Sequence, residues 1–183
     1  MSLYWAAITV ATIGYGDVTP TTTATKIVGS GSIGPAFQYL ISHGVVEEKY
    51  YPYVDNDKGS CKASSLFFLP SYKITGYEGL PTNTNDTAIM DAIFTKGPVL
   101  AYIYSNNKVF KNYSGGIIRN LFPNSTFFDH AIVIVGWGTS SDGVDYWILR
   151  NSWSTNWGEQ GYARLERHHG LIGINQYVYY VKM

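Results

Sequence analysis

The sequence predicts an α+β protein whose C-terminal part is dominated by antiparallel strands, and three stretches carry that expectation. Ala131 to Val135 is a short β-branched run and Tyr146 to Leu149 a second apolar run, with the turn-forming Thr139-Ser140-Ser141-Asp142-Gly143 between them. Together they read as a hairpin. Asp86 to Lys96 has helical spacing, with Ile89, Met90, Ile93 and Phe94 expected on one face, Asn85 as its cap and Gly97-Pro98 as its stop. Ser71–Leu80 and Val99-Leu100-Ala101-Tyr102-Ile103-Tyr104 read as further strands.

The totals bound the class of protein. The chain has 183 residues, 45% hydrophobic and 14% charged, with a formal net charge of +0, which suits one globular domain or two small lobes with a sizeable core. The composition argues against disorder. No basic run points to nucleic acid or an anionic membrane surface. The only cysteine, Cys61, rules out an internal disulfide.

The first 28 residues are of a different kind. Thr12-Ile13-Gly14-Tyr15-Gly16-Asp17, preceded by Tyr4-Trp5-Ala6-Ala7 and followed by Val18-Thr19-Pro20, resembles the pore helix and selectivity filter of potassium channels. In such a filter the glycines let successive carbonyls face the ion and replace its hydration shell, and four copies surround the axis. Spanning helices of about twenty apolar residues must flank it, and the sequence holds no such run. The resemblance ends at Val28, where Gly29-Ser30-Gly31-Ser32 follows. Nor does the N-terminus read as a signal peptide, since it lacks a basic leading region and a long apolar core.

The hairpin carries the chemistry. With the turn centred near Ser140 and Ser141, residues whose numbers sum to about 281 should face each other, which sets His130 across from Asn151. A carboxamide oxygen there would accept the Nδ1 proton and leave Nε2 free as a base. Taken singly, each residue would serve as well to satisfy a strand end. Their setting is more specific: Asp129-His130-Ala131 before the strand, Gly136-Trp137-Gly138 after it, then Arg150-Asn151-Ser152-Trp153 and Trp157-Gly158-Glu159-Gln160-Gly161-Tyr162. In order and spacing these motifs resemble the C-terminal half of the papain-like cysteine peptidases.

That resemblance implies a papain-like fold over residues 30–183, with the β-rich antiparallel C-terminal lobe complete and the N-terminal helical lobe truncated; residues 1–29 form the pore-like segment. It makes His130 the catalytic base and Asn151 its orienting partner, with Trp153 covering their hydrogen bond. Gly31, Ser32 and Ile33 look like the groove loop that meets an extended peptide through its backbone, before a helix ending at His43-Gly44. A plain Gly-Ser linker is the alternative there. Asp129, Ala131 and Trp153 complete the expected substrate surface. Tyr102 either floors a shallow pocket for the residue second from the scissile bond or packs in the core.

The same resemblance implies acyl transfer to a cysteine thiolate, needing neither metal nor cofactor. Its partners would be an extended polypeptide or a cystatin-like inhibitor, and its place lysosomal or secreted. The sequons at Asn85, Asn112 and Asn124 suit a secretory route. The nucleophile is the departure. Cys61, after Tyr50-Tyr51-Pro52-Tyr53, matches a half-cystine of the family whose partner is absent, and it lies only 69 residues before His130. Tyr4, the residue that a Trp5-Ala6 alignment would put at the nucleophile position, is a phenol, too weakly acidic to replace a thiol. Little or no peptidase activity is therefore expected of this chain, and a non-catalytic peptide- or inhibitor-binding protein is the alternative from another class. Ser154, where relatives carry glycine, and Ile172, where they often carry cysteine, are expected to be tolerated. His168 and His169 read as solvated turn residues, and Asn175 to Tyr180 as an aromatic strand closing the sheet.

Overall fold

A computed structural model describes residues 33–44, 73–122 and 127–183. The pore-like segment, Gly31, Ser32, Tyr50 to Tyr53, Cys61, Ser71 and Asn124 lie outside the described residues. The chain divides into two compact units, residues 1–77 with 181–183, and residues 78–180.

In the first unit, helix α1 (Ile33–Ser42) buries Ile33, Ala36, Phe37 and Leu40. Their spacing of three, one and three residues is the stripe of an amphipathic helix. Phe37 packs on Tyr77 with ring centroids 4.8 Å apart, and Lys73 Nζ donates to the Ser42 carbonyl at the helix end, 2.7 Å away. The helix gives way to a turn at His43 and a left-handed Gly44, where the sequence placed its end.

A sheet of seven strands has most of its residues within 78–180. The strands are β1 (Gly76–Gly79), β2 (Val99–Ile103), β3 (Ile117–Ile118), β4 (His130–Thr139), β5 (Asp145–Arg150), β6 (Tyr162–Glu166) and β7 (Val178–Lys182), in the order β1-β7-β2-β4-β5-β6-β3. Every registered pairing is antiparallel except that of β3 with β6. Alternation along each strand makes one buried face: Val99, Ala101 and Ile103, then Ile132 and Ile134, Trp147 and Leu149, Ala163 and Leu165. Helix α2 (Asp86–Lys96) packs on this cluster through Ile89, Ala92 and Ile93.

Helix α2 begins where expected. Asn85 Oδ1 accepts from the Ala88 N–H at 2.8 Å, satisfying one of the donors a helix start leaves open. Its apolar face differs from the expectation, because Phe94 is 84% exposed and Ala92 takes its place. At about 100° per residue, Phe94 falls about 140° round the helix from Ile89, while Ala92 falls only about 60° from it.

The hairpin register is also corrected. Val133 pairs with Arg150 and Ile134 with Leu149, but beyond a bulge at Val135 the pairs are Gly136 with Ile148 and Thr139 with Asp145. The turn is tied by Ser140 N–H to the Val144 carbonyl and Gly143 N–H to the Ser140 carbonyl, so it centres on Asp142. The sums are thus two or three higher than the turn residues suggested, and the bulge adds an unpaired residue that composition does not reveal. The last strand is displaced as well: β7 starts at Val178, since Gln176 N–H turns back to the Gly173 carbonyl. It lies between β1 and β2 rather than at the sheet's edge.

His168 is more engaged than a solvated turn residue. Its Nδ1 lies 3.1 Å from Asp86 Oδ2 and its Nε2 3.0 Å from Asp145 Oδ2, which links the start of α2 to the start of β5. Asp145 also accepts from Thr139 and from buried Arg167, and these bonds, that from Thr139 foremost, hold its carboxyl far below the usual carboxylate range. A depressed carboxyl stabilises the fold above its unfolded value, about 3.9, and loses that contribution as pH falls further.

Two motif glycines are there for want of space. A Cβ on Gly158 would stand 2.4 Å from the Tyr162 carbonyl oxygen, and one on Gly161 2.0 Å from Arg150 Nη1, both at positive φ. Ser154 occupies the same left-handed region, with φ of 65°, and so does the buried Ile172, with φ of 49°. That conformation costs a side-chain-bearing residue about 1–2 kcal/mol.

Three substitutions test this packing by urea unfolding. Ser154→Gly is expected to raise stability by up to about 1 kcal/mol, and Gly158→Ala to lower it by about 2 kcal/mol or more. Phe94→Lys is expected to stay within about 0.5 kcal/mol of the parent, as a surface change should, whereas a loss of several would return Phe94 to the core.

Candidate active site

His130 opens β4 opposite Ile103 of β2, so its ring leaves the sheet on the core face. The last pair of the hairpin is Val133 with Arg150, so no ladder pairing sets His130 directly across from Asn151, which lies just past the end of β5. The ring meets Asn151 and Trp153. Its Nε2 is 2.8 Å from Asn151 Oδ1, and the Trp153 indole lies over it with centroids 4.9 Å apart and planes 31° from parallel.

The proton can be placed by chemistry. Asn151 Oδ1 also accepts from the Ser152 N–H at 2.8 Å, which identifies that atom as the carboxamide oxygen. An oxygen that only accepts requires Nε2 to donate, so Nδ1 carries the lone pair. The sequence expectation had the two nitrogens reversed. Nε2 is farther from Cβ, and only the outer nitrogen has the reach for a residue not directly opposite.

Asn151 is 4% exposed and fixed by more than the imidazole. Its N–H donates to the Gly161 carbonyl, which also accepts from Arg150 Nη1. Gly161 is the last glycine of Trp157-Gly158-Glu159-Gln160-Gly161, so that motif holds the residue bonded to His130. Asn151 Nδ2 is a buried donor without a partner among the described residues.

Burial pushes His130 below the ordinary imidazole range, partly offset by the bond to Asn151 and the charge of Asp129. At neutral pH it is an uncharged base. Trp153, over the His130 ring, is itself supported: Phe110 and Trp157 meet it edge-on at 5.6 and 5.5 Å. Trp157 Nε1 donates to the Phe110 and Lys111 carbonyls of α3 (Lys108–Lys111), and Asn107 Oδ1 caps that helix through the Phe110 N–H. Phe110 and Gly161 are supports that the sequence reading missed. Gly161 lay within a quoted motif, but Phe110 carries no local signal beyond the Asn107 cap before it.

The other expected site residues divide. Asp129 is exposed and adjoins His130, yet its Oδ1 accepts from the Ser105 N–H at 2.7 Å, fastening the end of β2. Ala131 and Tyr102 pair across β4 and β2 and share the face opposite His130. Tyr102 is half-buried, edge-on to Tyr177 and Tyr179 at 6.5 and 6.3 Å, and is absent from the core cluster. Ile33 is 2% exposed, turned inward by α1, so its side chain offers a ligand nothing; only its backbone remains for that role. No group of three or more His, Cys, Asp or Glu suited to a metal occurs among the described residues.

An imidazole, an indole over its ring and a carboxamide bonded to it thus meet beyond the paired end of the hairpin. Comparison with known proteins shows the family. Residues 22–182 match the family described as Papain family cysteine protease, and residues 1–34 match the family described as Ion channel. The chain belongs to the papain family of cysteine proteases, which are hydrolases. It is 39% identical over 160 residues to a cysteine protease of Blomia tropicalis, covering 85% of this chain and 45% of that protein. With fruit bromelain of Ananas comosus it shares 39% over 149 residues, 79% of this chain and 40% of the relative. The chain spans less than half the length of these curated relatives. A solved structure from work on the mite allergens Blo t 1 and Der p 1 superposes with a TM-score of 0.77 at 38% identity, over 96% of this chain and 55% of the other. The Ananas comosus bromelain protease bound to the E64 inhibitor gives 0.74 at 31%, over 99% and 89%.

The tautomer is testable by nitrogen NMR of the imidazole. His130 is expected to show a protonated Nε2, an unprotonated Nδ1 and a titration below that of a free histidine. In Asn151→Ala both the tautomer preference and the slow exchange of the Nε2 proton should be lost. An Nδ1-protonated ring in the parent would refute the assignment.

Proposed function

We propose that these 183 residues carry the base half of a papain-like peptidase site, bind extended polypeptide, and by themselves hydrolyse it slowly or not at all. The observation behind this reading is the Nε2-to-Asn151 bond under Trp153, which leaves Nδ1 as the free base. In the family's chemistry Nδ1 would take the thiol proton, the thiolate would attack the peptide carbonyl, and the imidazolium would then protonate the leaving amine. The single cysteine, Cys61, does not match the nucleophile of the family's pattern. Loss of a nucleophile from such a site costs about four to six orders of magnitude in rate.

The same reading assigns Gly31, Ser32, Asp129 and Ala131 to the peptide groove, with Tyr102 as the floor of a shallow pocket. Its partners are an extended polypeptide or an inhibitor of cystatin type, and its place is lysosomal or secreted. Residues 1–29 form a separate pore-like piece, supported by the ion-channel match, joined to the peptidase part near Gly29 to Gly31. No helix among the described residues is long and apolar enough to cross a membrane.

Binding and turnover can be measured on the purified chain. Labelled extended peptides are expected to bind, with affinity changed by Tyr102→Gly. Cleavage of a fluorogenic dipeptide should not exceed that of the His130→Ala variant. Cleavage that depends on His130 would overturn the inactive reading, and absence of peptide binding would overturn the groove reading.

A further inference from the structure

We propose that Asn112 is an N-glycan acceptor, taking an oligosaccharide from a lipid diphosphate donor. The proposal rests on the reading that the protein enters the secretory route. Asn112-Tyr113-Ser114 fits the acceptor pattern, as do Asn85-Asp86-Thr87 and Asn124-Ser125-Thr126. Structure separates the first two.

The Asn85 carboxamide is committed, since its oxygen caps α2 and fixes the amide plane. The Asn112 carboxamide has no hydrogen bond among the described residues, and Asn112 and Ser114 are both exposed. Between them Tyr113 is 7% exposed, its hydroxyl donating to the Gly116 carbonyl and accepting from the Arg164 N–H. The middle residue is thus anchored inward while both reacting positions face solvent. An anchored loop can carry a bulky group without moving.

The position also spares the active site. Phe110, on the buried side of α3, is the residue that touches Trp153, whereas Asn112 ends that helix on its exposed side. Val109, 56% exposed and three residues before Asn112, lies on the same side of the turn, where a sugar would cover it. In the transfer, Asn112 Nδ2 bonds to the anomeric carbon of the first sugar as the bond from that carbon to phosphate oxygen breaks. The lipid diphosphate leaves with the electron pair, and one amide proton goes to a base.

The test uses native protein from its source, treated with peptide N-glycosidase in heavy-oxygen water and cut with trypsin. The peptide 112–119, bounded by Lys111 and Arg119, is expected to return with a heavy-oxygen aspartate at position 112. In cells expressing Ser114→Ala the same peptide should keep an unmodified Asn112, which excludes spontaneous deamidation. An unlabelled Asn112 in the parent overturns the proposal. If Asn85 or Asn124 is labelled instead, the secretory reading stands and only this assignment fails. If all three are bare and the protein fractionates with cytosol, both fail.

Discussion

The hydrogen bond from His130 Nε2 to Asn151 Oδ1 is the constraint on which the rest of the site depends. A half-buried imidazole is useful as a base only if one nitrogen is held, and the holder must be an acceptor that cannot itself be displaced by water. Asn151 meets the first need through its own bonds to Ser152 and Gly161. Trp153 meets the second by lying over the ring.

Those local contacts reach deep into the fold. Trp153 is held by Phe110 and Trp157, each aromatic contact contributing about 0.5–1.5 kcal/mol beyond the area it buries. Trp157 in turn is tied to α3 by its indole nitrogen, and Gly158 N–H donates to the Tyr113 carbonyl. The segment from Asn151 to Tyr162 thus closes on residues some forty positions earlier. That closure explains the glycines of the motif, since Gly158 and Gly161 sit where backbone or a guanidinium leaves no room for Cβ.

The bulge at Val135 has a similar role. It shifts the hairpin by one residue between Ile134 and Gly136, so that the ladder ends at Val133 with Arg150, and the residues just past that end, Asn151 and Trp153, supply the hydrogen-bond acceptor and the indole. A regular ladder with the register expected from the turn would have placed Asn151 directly across.

Much of this was legible in the chain. Period-two runs marked β2, β4 and β5, and the Asn85 cap with Gly97-Pro98 marked both ends of α2, because these signals depend on a few neighbouring residues. Family motifs brought His130, Asn151 and Trp153 together before any geometry was known. What the chain did not disclose depends on distant partners. The bulge shows only in the pairing of β4 with β5, Phe94 is exposed because it falls well round the helix from Ile89, and Phe110 becomes a support only when Trp153 arrives against it. The tautomer of His130 was decided in the same way: the sequence supplied an imidazole and a carboxamide, but the reach between them chose Nε2 for the bond.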